Sequence, residues 1–167
     1  MHGLSVGQLL MINELNEWMA FIQMPRTELG GFAICPYAKQ AIMQKSYDIQ
    51  YTNVNSVTSI LDNIDITKND VTILVIDDYI NYDMEYLVNH TMQLNQKYKM
   101  QDIVILDNDP RSPMDINGVV STFEHAYLWI IQSLSDLTSK SRQLSKTNYY
   151  SFWTQQQIDE VVTWRKK

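Results

Sequence analysis

Two short apolar runs, rich in β-branched residues and separated by one helical stretch, constrain the fold of this chain most. Residues 71–76 read Val-Thr-Ile-Leu-Val-Ile and residues 103–106 read Ile-Val-Ile-Leu, with polar residues on either side of each run. Runs of this kind are typical of strands that are covered on both faces. The stretch from Met84 to Met100 predicts a long helix between them. A strand, a helix and a strand in this order favour parallel pairing through a right-handed crossover.

Other periodic segments extend this unit into a complete fold. Apolar residues recur at three- and four-residue steps from Gln8 to Met24, which predicts an amphipathic helix. The segment 27–34 predicts a loop, which ends in a short strand in one alternative. Helices are predicted over 36–44, 56–63, 135–144 and 154–164, and strands over 47–53 and 127–131. Ser56 is expected to cap the second of these helices, and Thr154 with Gln157 forms a capping box at the start of the last. The sequence thus predicts one α/β domain over residues 1–167. Its sheet is expected to be mainly parallel, with about four strands, flanking helices and a helical C-terminal segment.

Composition excludes several classes of partner. The 167 residues carry 13 Lys and Arg against 19 Asp and Glu, a net charge of −6, which argues against nucleic-acid binding. The longest cationic cluster, Arg165-Lys166-Lys167, predicts a solvated tail. No apolar window is long enough for a membrane span, and the first residues have no features of a secretory signal. Cys35 is the single cysteine, so no intramolecular disulfide forms; we predict a cytoplasmic protein.

Cys35 is the residue at which the sequence most suggests chemistry. Gly30-Gly31-Phe32-Ala33-Ile34 leads into Cys35-Pro36, and proline is favoured in the first turn of a helix. This arrangement predicts that Cys35 caps the helix, where free backbone amides and the helix dipole lower the pKa of a thiol. A thiol-centred site at Cys35 is the functional interpretation. The alternative is a small apolar residue packed where the loop meets the helix.

The segment Cys35-Pro36-Tyr37-Ala38 resembles the redox motif of glutaredoxins in the thioredoxin superfamily. Ala38 stands where a dithiol enzyme has its second cysteine, so this resemblance implies at most a monothiol mechanism and a thioredoxin-like fold. The order of elements over residues 10–130 resembles an uncharacterised bacterial family with a Cys-Pro-Phe-Ala motif, whose later segment is matched only by Arg111-Ser112-Pro113. That family implies no function. The Asn-, Ile- and Lys-containing composition is similar to that of proteins from AT-rich marine phages.

Acidic residues follow both apolar runs. Asp77 and Asp78 come after the first run, and Asp107 and Asp109 come after the second. The carboxyl ends of neighbouring parallel strands meet at one edge of a sheet, where α/β proteins bind ligands. Carboxylate oxygens there suit Mg²⁺ or Ca²⁺, and Arg111 is available for a phosphate or carboxylate. The alternative is that these residues form turns and cap the next helix.

The segment from Asp107 to Ala126 predicts a long loop, with a tight turn at Asn117-Gly118. Its spacing of Asp, Asn, Gly and Glu imitates a calcium-binding loop, but Pro113 occupies the position of the first ligand, which excludes an EF-hand. His125 lies in this loop and is a candidate base for Cys35 if the fold brings the two together. The alternative is an ordinary polar loop residue.

An aromatic segment near the C-terminus offers a different function. Tyr149, Tyr150, Phe152 and Trp153 predict either a protein-binding surface or a segment that packs back onto the sheet. The leading hypothesis is a thiol-centred site, with a monothiol redox or nucleophilic role, on a cleft that the acidic residues line. The alternatives are a non-enzymatic interaction protein that uses the aromatic segment, and a protein that binds a divalent metal ion at the acidic edge. The sequence identifies no cofactor.

Overall fold

The computed structural model describes residues 4–166, and the side chains of residues 4–165. The helices are α1 (Val6–Ile22), α2 (Ala38–Gln44), α3 (Val57–Leu61), α4 (Met84–Tyr98), α5 (Leu134–Leu144) and α6 (Gln155–Val161). The strands are β1 (Tyr47–Thr52), β2 (Val71–Ile76), β3 (Ile103–Asn108), β4 (Asp115–Ile116), β5 (Val119–Val120) and β6 (Tyr127–Ser133). Short 3-10 turns occupy Thr27–Leu29, Val54–Ser56, Tyr79–Asn81, Lys99–Gln101, Tyr149–Phe152 and Thr163–Lys166.

The main sheet has four strands in the order β1-β2-β6-β3. β1 and β2 are parallel, whereas β6 is antiparallel to both β2 and β3. The prediction of an α/β fold with about four strands is confirmed, but the prediction of a mainly parallel sheet is wrong. The reason is that residues 109–126 between β3 and β6 contain no helix. Without a crossover helix, the chain re-enters the sheet at the end where β3 leaves it, so β6 runs in the opposite direction.

The connection from β3 to β6 is more ordered than the predicted loop. β4 and β5 form a two-stranded hairpin, and its turn residues Asn117 and Gly118 have φ angles of 51° and 85°. This left-handed pair confirms the predicted tight turn. The Asn108 side chain ties the connection to β3, since its amide donates to the Phe123 and Ala126 carbonyls and accepts from the Phe123 amide.

Helices cover both faces of the sheet, as predicted. Alternate residues of β2 enter different cores: Leu74 and Ile76 pack under α3 and α4, and Ile73 and Val75 pack under α1 and α2. A third, smaller core joins the 3-10 turn at Thr27–Leu29, the β4–β5 hairpin and the aromatic segment. The C-terminal segment is helical, as predicted. No helix in the described part of the chain is long and apolar enough to cross a membrane.

Side-chain caps mark the N-termini of several helices. α6 begins at the Thr154 and Gln157 capping box that the sequence predicts, and α1 begins at an equivalent box formed by Ser5 and Gln8. Asp83 caps α4 by accepting from the Tyr86 amide. α6 ends at Val161, earlier than predicted.

Two local predictions before β1 and α3 are wrong. No strand forms over residues 27–34, where a 3-10 turn is followed by an irregular loop. Ser56 precedes α3 without a capping hydrogen bond from its side chain. Asn53 instead accepts from the Ser56 amide and so caps the preceding 3-10 turn, because that turn brings the two groups within 2.9 Å.

Candidate functional site

Cys35 does not cap α2. The residue before the first helical residue, Ala38, is Tyr37, and Pro36 and Tyr37 form a turn between the cysteine and the helix. The Cys35 carbonyl accepts from the Ala38 amide at 3.2 Å, and the Cys35 amide donates to the Ile22 carbonyl at 2.8 Å. The prediction of a capping position is therefore wrong, since an additional turn separates Cys35 from α2.

The pKa of the Cys35 thiol is raised, which is the opposite of the predicted direction. Burial of the thiol has the largest effect, because it disfavours the charged thiolate. The Tyr37 and Ala38 amides and the positive charge of Lys140 each favour the thiolate, but burial outweighs them. The thiol is thus the dominant species of Cys35 at neutral pH.

Cys35 gives the first prediction that can be tested directly. Because its pKa is raised above the ordinary value of about 8.5, we expect iodoacetamide to react more slowly with the folded protein at pH 7 than with the urea-unfolded chain. The rate in the folded state should continue to rise with pH through about 8.5, because thiolate forms only there. A plateau below pH 7 in the folded protein would contradict the raised pKa.

The aromatic segment packs beside the loop that carries Cys35. The Tyr149 hydroxyl donates to the Ile34 carbonyl, and the Tyr149 ring meets the edge of the Phe32 ring at 5.7 Å. Tyr149 is buried, whereas Tyr150, Phe152 and Trp153 are half-buried. These contacts agree with the packing alternative, although the segment packs on this loop and the β4–β5 hairpin rather than on the main sheet. A protein partner for this segment stays a prediction.

The predicted acidic residues lie at one end of the sheet but not on neighbouring strands. β2 and β3 point in the same direction, and β6 separates them. Asp78 accepts a hydrogen bond from the Val54 amide at 2.9 Å. This contact is structural, which agrees with the alternative that the acidic residues stabilise turns. Asp77 is exposed, and partial burial and the charge of Asp78 raise the pKa of its carboxyl group.

Arg111 already has a partner for each side of its guanidinium group. Its Nε and Nη2 donate to the two Asp109 carboxylate oxygens at 2.9 and 2.8 Å, and its Nη1 donates to the Tyr82 carbonyl at 2.8 Å. The bidentate pair with Asp109 orients the guanidinium group, and the bond to Tyr82 fixes the connection after β3 to the segment that precedes α4. Arg111 is therefore a structural clamp in this structure.

Asp107 lies near the end of β3, and this residue is exposed. The Tyr127 hydroxyl donates to its carboxylate at 3.3 Å. Surrounding protein atoms raise the pKa of Asp107, and the negative charges of Asp109 and Glu160 add to this effect. Among the described residues, no group of three His, Cys, Asp or Glu side chains lies close enough to hold a metal ion. The geometry does not favour the metal-binding alternative.

His125 is exposed, and its ring meets the edge of the Phe123 ring at 5.5 Å. It makes no hydrogen bond with Cys35, and the ionisable side chain whose charge acts on the thiol is Lys140. A role for His125 as a base therefore has no geometric support, because the connection from β3 to β6 directs its ring towards Phe123.

A large cleft of about 2120 Å³ borders the outer edge of β3 and continues to residues of α1, α2, β1 and β2. Beside β3, it is lined by α4 and by α6 with the turn that follows it. Cys35, Asp107 and Asp109 line this cleft, whereas Asp77, Asp78, Arg111 and His125 do not. Three of the predicted site residues therefore line one cleft, but most of its lining residues were not predicted as site residues.

The α4 wall of the cleft carries a row of exposed apolar side chains among polar ones. Met84, Val88 and Met92 recur every four residues along this wall, and their exposed fractions are 44%, 47% and 64%. Buried residues such as Leu87 and Leu94 form a different stripe on the same helix. A helix with two apolar stripes was readable from the sequence, but periodicity does not tell which stripe faces the core.

Asn95 blocks the edge of β3 at the bottom of the cleft. This buried α4 residue donates to the Ile105 carbonyl and accepts from the Ile105 amide, both at 2.8 Å. Its side-chain amide takes the place that the backbone of a neighbouring strand would otherwise occupy. An asparagine in the middle of a helix gave no sequence signal for this contact.

The cationic C-terminal residues depart from the predicted solvated tail where the structure describes them. Arg165 is half-buried beside the cleft, and its Nη2 donates to the Ser141 hydroxyl at 3.1 Å. Burial lowers the pKa of Arg165. The Lys166 side chain and Lys167 lie outside the described residues.

No family model, curated protein or solved structure matches this chain. The resemblances to glutaredoxins and to the Cys-Pro-Phe-Ala family therefore stay predictions, and the site must be interpreted from its own geometry.

Proposed function

We propose that this protein acts by binding a segment of a partner protein in the cleft along β3. The observation that carries the proposal is the size of the cleft, about 2120 Å³. Sites for small molecules occupy roughly 300–1,000 Å³, so this cleft accommodates a polymer segment better than a single metabolite.

The composition of the cleft supports binding rather than catalysis. Met84, Val88 and Met92 expose a continuous apolar row, and such rows on soluble proteins are typical of interaction surfaces. Methionine adapts its shape to different apolar partners, which suits a binding wall. This proposal retains the interaction hypothesis but moves the surface from the aromatic segment to α4.

Cys35 has a secondary position in this proposal. Its raised pKa disfavours a nucleophilic role, while its place in the lining of the cleft allows its uncharged side chain to contact a bound segment. A thiol-centred function stays a hypothesis, and the alkylation experiment described above tests it separately.

An unbiased selection tests the proposed function. A displayed library of random 16-residue peptides would be selected for binding to the wild-type protein. The affinity of the enriched peptides would then be measured for the wild type and for a double variant, Val88→Gln with Met92→Gln. We expect the enriched peptides to bind the double variant at least tenfold more weakly than the wild type, because both substitutions remove exposed apolar contacts from the cleft.

Met43→Gln is the matched control. Met43 is 74% exposed on α2 and does not line the cleft, so this variant should bind the same peptides with unchanged affinity. Since all three positions are exposed, the thermal midpoints of the variants should stay close to that of the wild type. The proposal fails if the library yields no binder, or if enriched peptides bind the double variant as well as the wild type.

A further inference from the structure

The edge of β3 is poorly suited to accept another strand. Addition of a strand requires free backbone amide and carbonyl groups that point away from the sheet. Backbone groups alternate in direction along β3, and those of Ile103, Ile105 and Asp107 point away from β6. Asn95 occupies both groups of Ile105 in the middle of this row. A partner in this cleft therefore gains little from backbone pairing and must bind mainly through side chains.

The apolar wall has the repeat of a helix-packing surface. Met84, Val88 and Met92 are spaced four residues apart, so they form a ridge along α4. Ridges with this spacing pack into the grooves of a second helix, and an amphipathic helix in an apolar groove is a common mode of peptide recognition. A helix also satisfies its own backbone hydrogen bonds, so it does not need the blocked edge of β3.

The cleft is lined by more acidic than basic residues. Lys99 and Arg165 are its basic lining residues, against Asp70, Glu85, Asp107, Asp109, Asp159 and Glu160, and the negative charge of Glu160 acts on Asp107 near the carboxyl end of β3. The contact of Arg111 with the Tyr82 carbonyl holds the start of α4, where Glu85 lies, at this same end. Lys99, beyond the C-terminal end of α4, lies near the opposite end of β3. The acidic end attracts Lys or Arg side chains of a partner.

From these three features we infer that the partner segment is an amphipathic helix with Lys or Arg on its polar face. This inference rests on the proposed function of the cleft and specifies the chemistry of its occupant. The helix places its apolar face on Met84, Val88 and Met92, and its basic residues meet the carboxylates near the end of β3.

The exposed apolar helix α1 of a second copy does not match that description. α1 exposes apolar side chains, among them Leu9 at 50% and Leu10 at 58%. However, α1 carries Glu14 and Glu17 and has no Lys or Arg, so its charges would repel the acidic end of the cleft. We therefore assign the cleft to a segment of a different protein, and dimerisation of this chain is the opposing outcome of the test below.

Three fluorescent 16-residue peptides of equal length test the inference by fluorescence anisotropy. The first has Leu at helical spacing and Lys elsewhere, the second has the same composition with Leu and Lys alternating, and the third replaces each Lys of the first by Glu. We expect the first peptide to bind the wild-type protein at least tenfold more tightly than the other two. Its affinity should fall with added salt, because salt screens the carboxylates.

The variants separate this inference from the proposed function. Val88→Gln with Met92→Gln should weaken binding of the helical Lys peptide at least tenfold, whereas Met43→Gln should leave it unchanged. Equal binding of the alternating or Glu peptide, or no binding of the helical Lys peptide, overturns the inference while peptides from the library selection still support the cleft. Binding that the double variant retains overturns it as well, since charge attraction alone then explains the affinity. Sedimentation of the free protein as a dimer through this cleft would identify a second copy as the occupant and also overturn it.

Discussion

Replacement of Asn95 by leucine is expected to lower the free energy of unfolding by about 2–6 kcal/mol, since each of two buried backbone groups left without a partner costs about 1–3 kcal/mol. Asn95 satisfies the amide and the carbonyl of Ile105 on the outer edge of β3. Leucine is similar in size to asparagine, so the substitution removes the hydrogen bonds with little change in volume. Urea denaturation of both proteins, followed by circular dichroism, measures the difference.

Asn89→Leu is the matched control for this substitution. Asn89 is also on α4, but it is exposed and makes no hydrogen bond with its side chain among the described residues. Its replacement should change the free energy of unfolding by less than about 0.5 kcal/mol. Equal stability of the two variants would show that Asn95 does not protect this edge.

Gly30→Ala is expected to destabilise the protein by about 2–5 kcal/mol, through backbone strain of about 1–2 kcal/mol and overpacking of about 1–3 kcal/mol. Gly30 has a φ angle of +65°, and a Cβ atom at this position would lie 2.7 Å from a ring carbon of Phe152. The substitution therefore disturbs the contact between the aromatic segment and the loop that carries Cys35. Thermal and urea denaturation measure the loss.

Gly31→Ala separates the two contributions to that loss. Gly31 has a φ angle of +88°, but nothing lies within 4 Å of a Cβ atom added there. This control should retain the strain and lack the clash, so it should be less destabilising than Gly30→Ala. Phe152→Leu should reduce the difference between the two glycine variants, since it removes the ring that the new methyl group meets. If both glycine variants lose the same stability in the wild-type background, the Phe152 ring does not constrain the loop.

These two contacts join the Cys35 loop and the cleft to distant parts of the chain. The aromatic segment holds the loop from the C-terminal side, and Asn95 holds β3 from α4. Both contacts leave the cleft open while they fix its walls. A fixed wall favours affinity, because binding then requires less ordering of the protein.

The sequence predicted the elements of this fold better than their arrangement. β2 and α4 form where the apolar runs and helical spacing place them, and Thr154 with Gln157 begins α6 as predicted. The direction of β6 was predicted wrongly, although the lack of a helix between β3 and β6 was a usable signal. The candidate site was predicted only in part: Cys35, Asp107 and Asp109 line the cleft, but the apolar wall on α4 was not recognised.

By itself, the sequence determined where strands and helices form, because periodicity, capping boxes and turn residues act between neighbours in the chain. Only the tertiary structure decided what surrounds each functional group. Cys35 owes its raised pKa to burial, and it lies close enough to Lys140 to sense its charge, whereas the helix-capping argument considered only the next few residues. Asn95 reached the edge of β3 because α4 packs against that strand. Burial, strand order and pairing depend on contacts between distant residues, and such contacts leave no local pattern in the sequence.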